Sequence, residues 1–392
     1  QMVGAFPMAG SVYNYAGRGI AAPVGFLVGW AMLLDYILVP SLLALVAAVG
    51  MHDAVTTIPV WGWIVGFALL TTVINVFGIR MTARVTAWFL IGELLVLGTY
   101  LGVGGWALVE GRGSDLTGDT VLHALINPGT VTASLVFGAV SYAMLSFLGF
   151  DGISMLAEEN RGGARQIGTA MRVALLVTGA LFIAQSWMAT LFVADPTRLI
   201  ADGDPAGTAF YDTARVAGGP WLAALTAIAT ALAWGIANSL VAQVSTSRLL
   251  FAMARDRQLP RFLARVSARQ AVPINAVLLV AALSLALGLV MANRDDGIAL
   301  LSSLINFGAI TGFVVLHTAV IWHFVIRHRS RRLVAHLLVP LLGIVLLAAV
   351  AINANIAAQR LGLAWLGLGA GVLVVLYATG RRPSLAGMGG QA

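Results

Sequence analysis

Three carboxylates interrupt long apolar runs in this chain: Asp35, Glu93 and Asp151. An ionisable group at the centre of a bilayer costs at least ~2.5 kcal/mol on insertion scales, so it faces a bundle interior or a wet cavity. Arginine is nearly absent from the same runs, and no fixed counter-charge is in sight. Each acid supports two readings. One is a structural acid, kept protonated or hydrogen-bonded. The other is a site that binds a cation or passes a proton.

Asp151 has the most informative neighbours. Ser146, Gly149, Gly152 and Ser154 crowd around it in the middle of one apolar run. Glycine weakens a helix by about 1 kcal/mol relative to alanine. A broken helix is tolerated at membrane depth only where it lines a cavity. The N–H and C=O groups freed there can hold a substrate carboxylate or amine. Small residues also serve close helix packing, which is the competing reading. The paired glycines predict a discontinuity near 146–149. Asn75, Asn238, Ser239, Gln243, Asn306 and His317 also fall at depth. Interhelical hydrogen bonds, about 0.6 kcal/mol each on average, account for such residues, with a proton relay as the other reading of His317.

These residues need helices to carry them. A helix crosses the hydrocarbon core with about 20 apolar residues. Ten runs qualify: 23–49, 61–77, 84–108, 132–156, 170–193, 220–253, 273–291, 298–326, 334–356 and 361–376. They lack the two-residue alternation of membrane strands. Of the 392 residues, 59% are hydrophobic and 10% charged, against about 25% charged in soluble domains. All 23 basic residues are arginine. With the first segment placed in the cytoplasm, eighteen arginines fall on that side and five on the other. This asymmetry predicts both ends of the chain in the cytoplasm. The net charge of +7 is therefore a topology signal. A nucleic-acid footprint needs a water-exposed basic domain, and none is predicted. The absence of cysteine excludes disulfides. There is no HExxH, no GxSxG and no metal-ligand spacing, so neither an enzyme, a metal nor a cofactor is expected. The chain starts with Gln1 and a loop-like stretch from Phe6 to Ser11, which suggests a segment upstream.

Three motifs carry a family resemblance. Gly149-Phe150-Asp151, followed by Ala157-Glu158-Glu159-Asn160 and Arg161, resembles helix six of the amino acid–polyamine–organocation permeases, without the usual proline after the asparagine. Ser247-Arg248-Leu249-Leu250-Phe251 through Leu259-Pro260 resembles the cytoplasmic end of helix eight. Phe6-Pro7-Met8-Ala9-Gly10-Ser11 with Gly25-Phe26-Leu27-Val28-Gly29-Trp30 resembles the link from helix two into helix three. The resemblance implies an all-α, LeuT-like fold of two inverted five-helix repeats. Its ten spans would be helices three to twelve, the first two being absent. The expected parts are a cytoplasmic loop with the end of helix two at 1–22, the rest of the first repeat at 23–109, the second repeat at 132–326, peripheral helices at 334–379 and a cytoplasmic tail at 380–392.

The implied activity is secondary transport of amino acids across the cytoplasmic membrane by alternating access, proton-coupled or by exchange. Polyamines or other organic amines are the alternative cargo. A transport-inactive membrane fragment is the alternative from another class. The partners are a small molecule and the lipid bilayer, with no oligomeric state implied. The family's substrate-contacting backbone maps to Leu145, Ser146, Leu148 and Gly149, with Asp151 beside them; Asp35 and Asn306 complete the expected site. Asp35-Tyr36 resembles a pattern of putrescine-importer-like members. Leu145 stands where an arginine–agmatine exchanger carries a gating tryptophan, so that substrate is not implied. Glu93 stands where several proton-coupled members carry a lysine, which makes it the expected coupling residue.

Overall fold

In a computed structural model, the described residues are 2–6, 11–113, 124, 131–155, 163–196, 198–199, 208–267, 272–352 and 356–380. The Glu158-Glu159-Asn160 run and the tail from 381 onward lie outside them. Among the described residues there are helices and no strand. In chain order they are α1 (Met2–Ala5), α2 (Ser11–Gly19), α3 (Ala22–Ala54), α4 (Val60–Val76), α5 (Ile79–Val109), α6 (Ala133–Phe147) and α7 (Gly152–Met155). Then come α8 (Gly163–Thr190), α9 (Ala209–Gly218), α10 (Pro220–Arg255), α11 (Ile274–Met291), α12 (Gly297–Arg327), α13 (Val334–Ile352) and α14 (Ile356–Ala378).

Eight of these are long and apolar enough to span a bilayer, and α4 and the stretch Ala143–Ser154 are shorter apolar helices. The ten expected runs all have a helical counterpart. The fourth differs from a plain span: 132–156 is two helices, α6 and α7, with a bend between them. The sixth runs on to Arg255 and contains a π turn at Ala233–Asn238.

The centre of the bundle is α3. It packs against α2, α4, α10, α11, α12 and α14 and is the most buried of the spans. Pro23 starts it, where a missing N–H costs nothing. Its closest neighbour is α12, and small residues explain why. Gly308 and Gly312 are four apart, which puts both on one face. A Cβ at Gly308 would stand 2.9 Å from the carbonyl oxygen of Ala31 and 2.9 Å from the amide of Asp35. Only hydrogen fits there, and the two backbones touch. Tyr13 on α2 reaches the far end of α10, where its hydroxyl donates to Asp256 at 2.7 Å. The outer helices α5, α8 and α14 leave most of their surface uncovered. Trp88, Leu176 and Val374 stand out on them, as suits contact with lipid.

Short ion pairs close two of the loops. Arg294 bonds Asp296 at 2.8 Å and Arg112 bonds Glu110. The Arg294 side chain holds the Asp296 carboxyl below its ordinary range. Both pairs are exposed, so they add little to stability.

Candidate functional site

The bend between α6 and α7 is where the site begins. Thr132 caps the start of α6 by accepting from the amide of Leu135 at 3.3 Å. The helix ends at Phe147, and Leu148 turns to an extended conformation with ψ of 147°. Gly149 follows with φ of +99°. That region is costly for any residue with a Cβ, so the first of the paired glycines has a backbone reason. The ladder resumes when Gly152 donates to the carbonyl of Gly149 at 2.9 Å. The amides of Gly149 and Phe150 make no hydrogen bond among the described residues. Two unpaired donors at membrane depth can take a ligand oxygen. Aromatic contacts hold the bend on both sides: Phe147 meets Phe182 at 5.3 Å, and Phe150 stacks on Phe313 at 5.6 Å.

Asp151 sits just past the bend and is 4% exposed. Its carboxylate accepts from the hydroxyl of Tyr36. Its own carbonyl accepts from the hydroxyl of Ser154 at 2.6 Å. The second glycine, Gly152, has a packing reason: a Cβ there would meet Ser245 Oγ on α10 at 2.9 Å. The break is thus seated between α3 and α10.

Tyr36 is the residue that sequence reasoning left out of the site. Its hydroxyl serves Asp151, and its carbonyl has an equally particular position. Pro40 lies four residues further along α3. Proline has no N–H, so the carbonyl of Tyr36 loses its normal helical donor. The hydroxyl of Thr246 on α10 supplies one at 2.6 Å, shared with the carbonyl of Ala242 at 2.7 Å. A proline inside a buried span, four after a tyrosine, was the available signal.

Asp35 is next to Tyr36 in the chain and is 5% exposed. Its side chain accepts no hydrogen bond and makes no ion pair among the described residues. A buried carboxyl in that condition must be protonated or must meet a cation from outside the chain. It lies beside the Gly308 crossing, and Asn306, two residues earlier on α12, is also buried.

Four of the expected residues thus frame one region: Asp35, Asp151, Gly149 and Leu148. Leu145 and Leu148 are half-buried and pack on the apolar cluster around Leu38, Leu42 and Leu301. Ser146 and Gly149 are exposed on the uncovered side of the bend. Glu93 is placed elsewhere. It is half-buried on α5, a helix that packs chiefly on α9 and α10. Neither hydrogen bond nor ion pair holds it among the described residues. His317 packs on α13, its ring against Gly343. Among the described residues no cluster of three or more potential ligands could hold a metal ion.

Comparison with known proteins follows the same lines. A family model described as amino acid permease matches residues 1–377. The low-affinity putrescine importer PlaP of Escherichia coli K12 is 28% identical over 388 residues, covering 98% of this chain and 83% of that protein. The vacuolar cationic amino acid transporter 4 of Arabidopsis thaliana is 29% identical over 336 residues, covering 80% of this chain and 52% of that protein. The branched-chain amino acid permease BcaP of Bacillus subtilis is 23% identical over 341 residues, covering 80% and 67%.

Proposed function

Because the chain belongs to the amino acid permease family, and so is a multi-pass membrane transporter of amino acids or amines, we propose that its substrate carries a cationic amine met by Asp35 and Asp151. The observation behind this is Asp35: a buried carboxyl with no hydrogen bond or ion pair among the described residues, near a second buried carboxylate. An amine cation supplies the missing charge. The Tyr36 hydroxyl orients Asp151 and sets the direction its carboxylate faces. The similarity to a putrescine importer over nearly the whole chain supports an organic amine.

A second reading rests on the bend. The unpaired amides of Gly149 and Phe150 suit a carboxylate, and an amino acid carries both groups. Under this reading the amides hold the carboxylate while Asp35 holds the amine.

In either case transport is secondary and proceeds by alternating access in the cytoplasmic membrane, with both ends of the chain cytoplasmic. The arginine asymmetry supports that orientation. The segment 23–109 acts as the remainder of the first inverted repeat and 132–326 as the second. Glu93 carries the coupling proton, a role supported by its position mid-span without a hydrogen bond or ion pair among the described residues.

Uptake into proteoliposomes tests the substrate. Labelled putrescine, arginine and leucine are offered separately, then in competition. Putrescine or arginine should be taken up in preference to leucine. Asp35→Asn should weaken uptake of the amine at least tenfold, in line with the ~1.5–3 kcal/mol of a hydrogen bond to a charged group. Preferred uptake of leucine, undiminished by Asp35→Asn, would overturn the amine reading.

A further inference from the structure

No aspartate or glutamate occurs after Asp296, while seven arginines do. Four of them, Arg327, Arg329, Arg331 and Arg332, crowd the turn between α12 and α13. All four are exposed, and none makes an ion pair among the described residues. Arg294 and Arg112, in other loops, each have an acid within two residues. The turn has none to recruit nearby in sequence.

The turn is also held in shape. The amide of Ser330 donates to the carbonyl of Phe324 at 2.8 Å, and that of His328 donates to the carbonyl of His323 at 3.1 Å. The hydroxyl oxygen of Ser330 accepts from the amide of Arg332 at 3.3 Å and lies 2.8 Å from Nδ1 of His336. Arg329 has a φ of 47°, a region that side-chain-bearing residues seldom occupy. The four guanidinium groups are therefore carried on a fixed turn.

Its setting selects the partner. Both flanking helices are long and apolar enough to span the bilayer, so the turn lies at the membrane surface whichever way the chain is inserted. Exposed apolar side chains stand directly beside the arginines: Ile326, Leu333 and Val334, with Trp322 further back on α12. A soluble anion would use the charges and leave this apolar rim unused. A lipid uses both, phosphate against guanidinium and glycerol or acyl chain against the rim. Arginine, the only basic residue type of this chain besides histidine, can grip phosphate oxygens in pairs.

We propose that the turn from Arg327 to Val334 is a binding site for the headgroup of an anionic phospholipid. The site is separate from Asp35 and Asp151 and does not depend on the identity of the transported substrate.

The test uses the purified protein in detergent micelles, titrated with phosphatidylglycerol or phosphatidylcholine of the same chains. Retained lipid is counted by native mass spectrometry. Phosphatidylglycerol should be retained in preference, and added salt should erode that preference. The fourfold variant R327Q/R329Q/R331Q/R332Q should bind phosphatidylglycerol at least about tenfold more weakly, with phosphatidylcholine unchanged. Should that variant fail to purify as one species, the four single glutamine variants replace it, each expected to lose about two- to fivefold. Arginines that served only to orient the chain during insertion would leave lipid retention by the purified protein unmoved. That result, or displacement of the lipid by an equal concentration of soluble glycerol phosphate, overturns the proposal.

Discussion

Trp30 on α3 and Trp365 on α14 each donate the indole N–H to the other's backbone carbonyl, at 2.8 and 2.7 Å. Their rings stack at 4.7 Å with planes 19° apart, although the residues are 335 positions apart in the chain. Gly369, one turn along α14, leaves room for the Trp30 ring. The last described helix is thereby fastened to the central one through two bonds that run in opposite directions.

Both bonds and the ring stack join the same two residues, so their losses should be coupled. Trp365→Phe and Trp30→Phe keep a ring and each remove one N–H, at about 1 kcal/mol apiece. Thermal unfolding in detergent should show the double variant departing from the sum of the single losses by about 0.5 kcal/mol or more. Losses that add within that margin would mean that each bond holds independently of the other.

Tyr36→Phe removes the hydroxyl that Asp151 accepts from. The buried carboxylate then lacks that donor, at a cost of about 1–3 kcal/mol in stability. Substrate affinity should fall as well, because Asp151 is no longer oriented. Unfolding and binding measured on one preparation check both. Unchanged affinity would place Tyr36 in the fold alone.

The pairing of Pro40 with Thr246 predicts a coupled pair of effects. Thr246→Val strips the carbonyl of Tyr36 of its donor, for about 1–3 kcal/mol. Pro40→Ala restores an amide at position 40 that can serve the same carbonyl. Thr246→Val should therefore cost less in the Pro40→Ala background. Equal costs in both backgrounds would show that the carbonyl never depended on Thr246.

If Glu93 carries the coupling proton, Glu93→Gln should abolish the dependence of uptake on a pH gradient. Exchange of substrate across the membrane should survive, since the proposed binding residues stand on other helices. Flux assays with and without the gradient separate the two. An unchanged response to pH makes this acid structural.

The acids and the bend were legible in the sequence because charge and glycine are rare at membrane depth. Gly149 and Gly152 announced the break, and the structure gives each its own reason, one conformational and one steric. Tyr36 was legible only through Pro40, which strands its carbonyl; nothing in the apolar run points to a hydroxyl partner 115 residues away. The inward face of each span was equally hidden. In a soluble protein the polar side of a helix points to water, and the periodicity reveals the other side. In a bilayer both sides are apolar. Nothing in the spacing could therefore tell that Asp35 turns into the core while Glu93 stays half-buried on an outer helix.

The crossing at Gly308 also limits how the protein can move. Screwing α12 past α3 by one residue, a turn of about 100° with a rise of about 1.5 Å, would bring the methyl of Ala309 to a gap that accepts only hydrogen. The crossing therefore resists that motion of α12 against α3, and Asp35 sits at it. Slack is found instead in the short bend from Leu148 to Asp151, where the ladder is already open. A change in access can then swing α6 against α7 while the carboxyl at the crossing keeps its place.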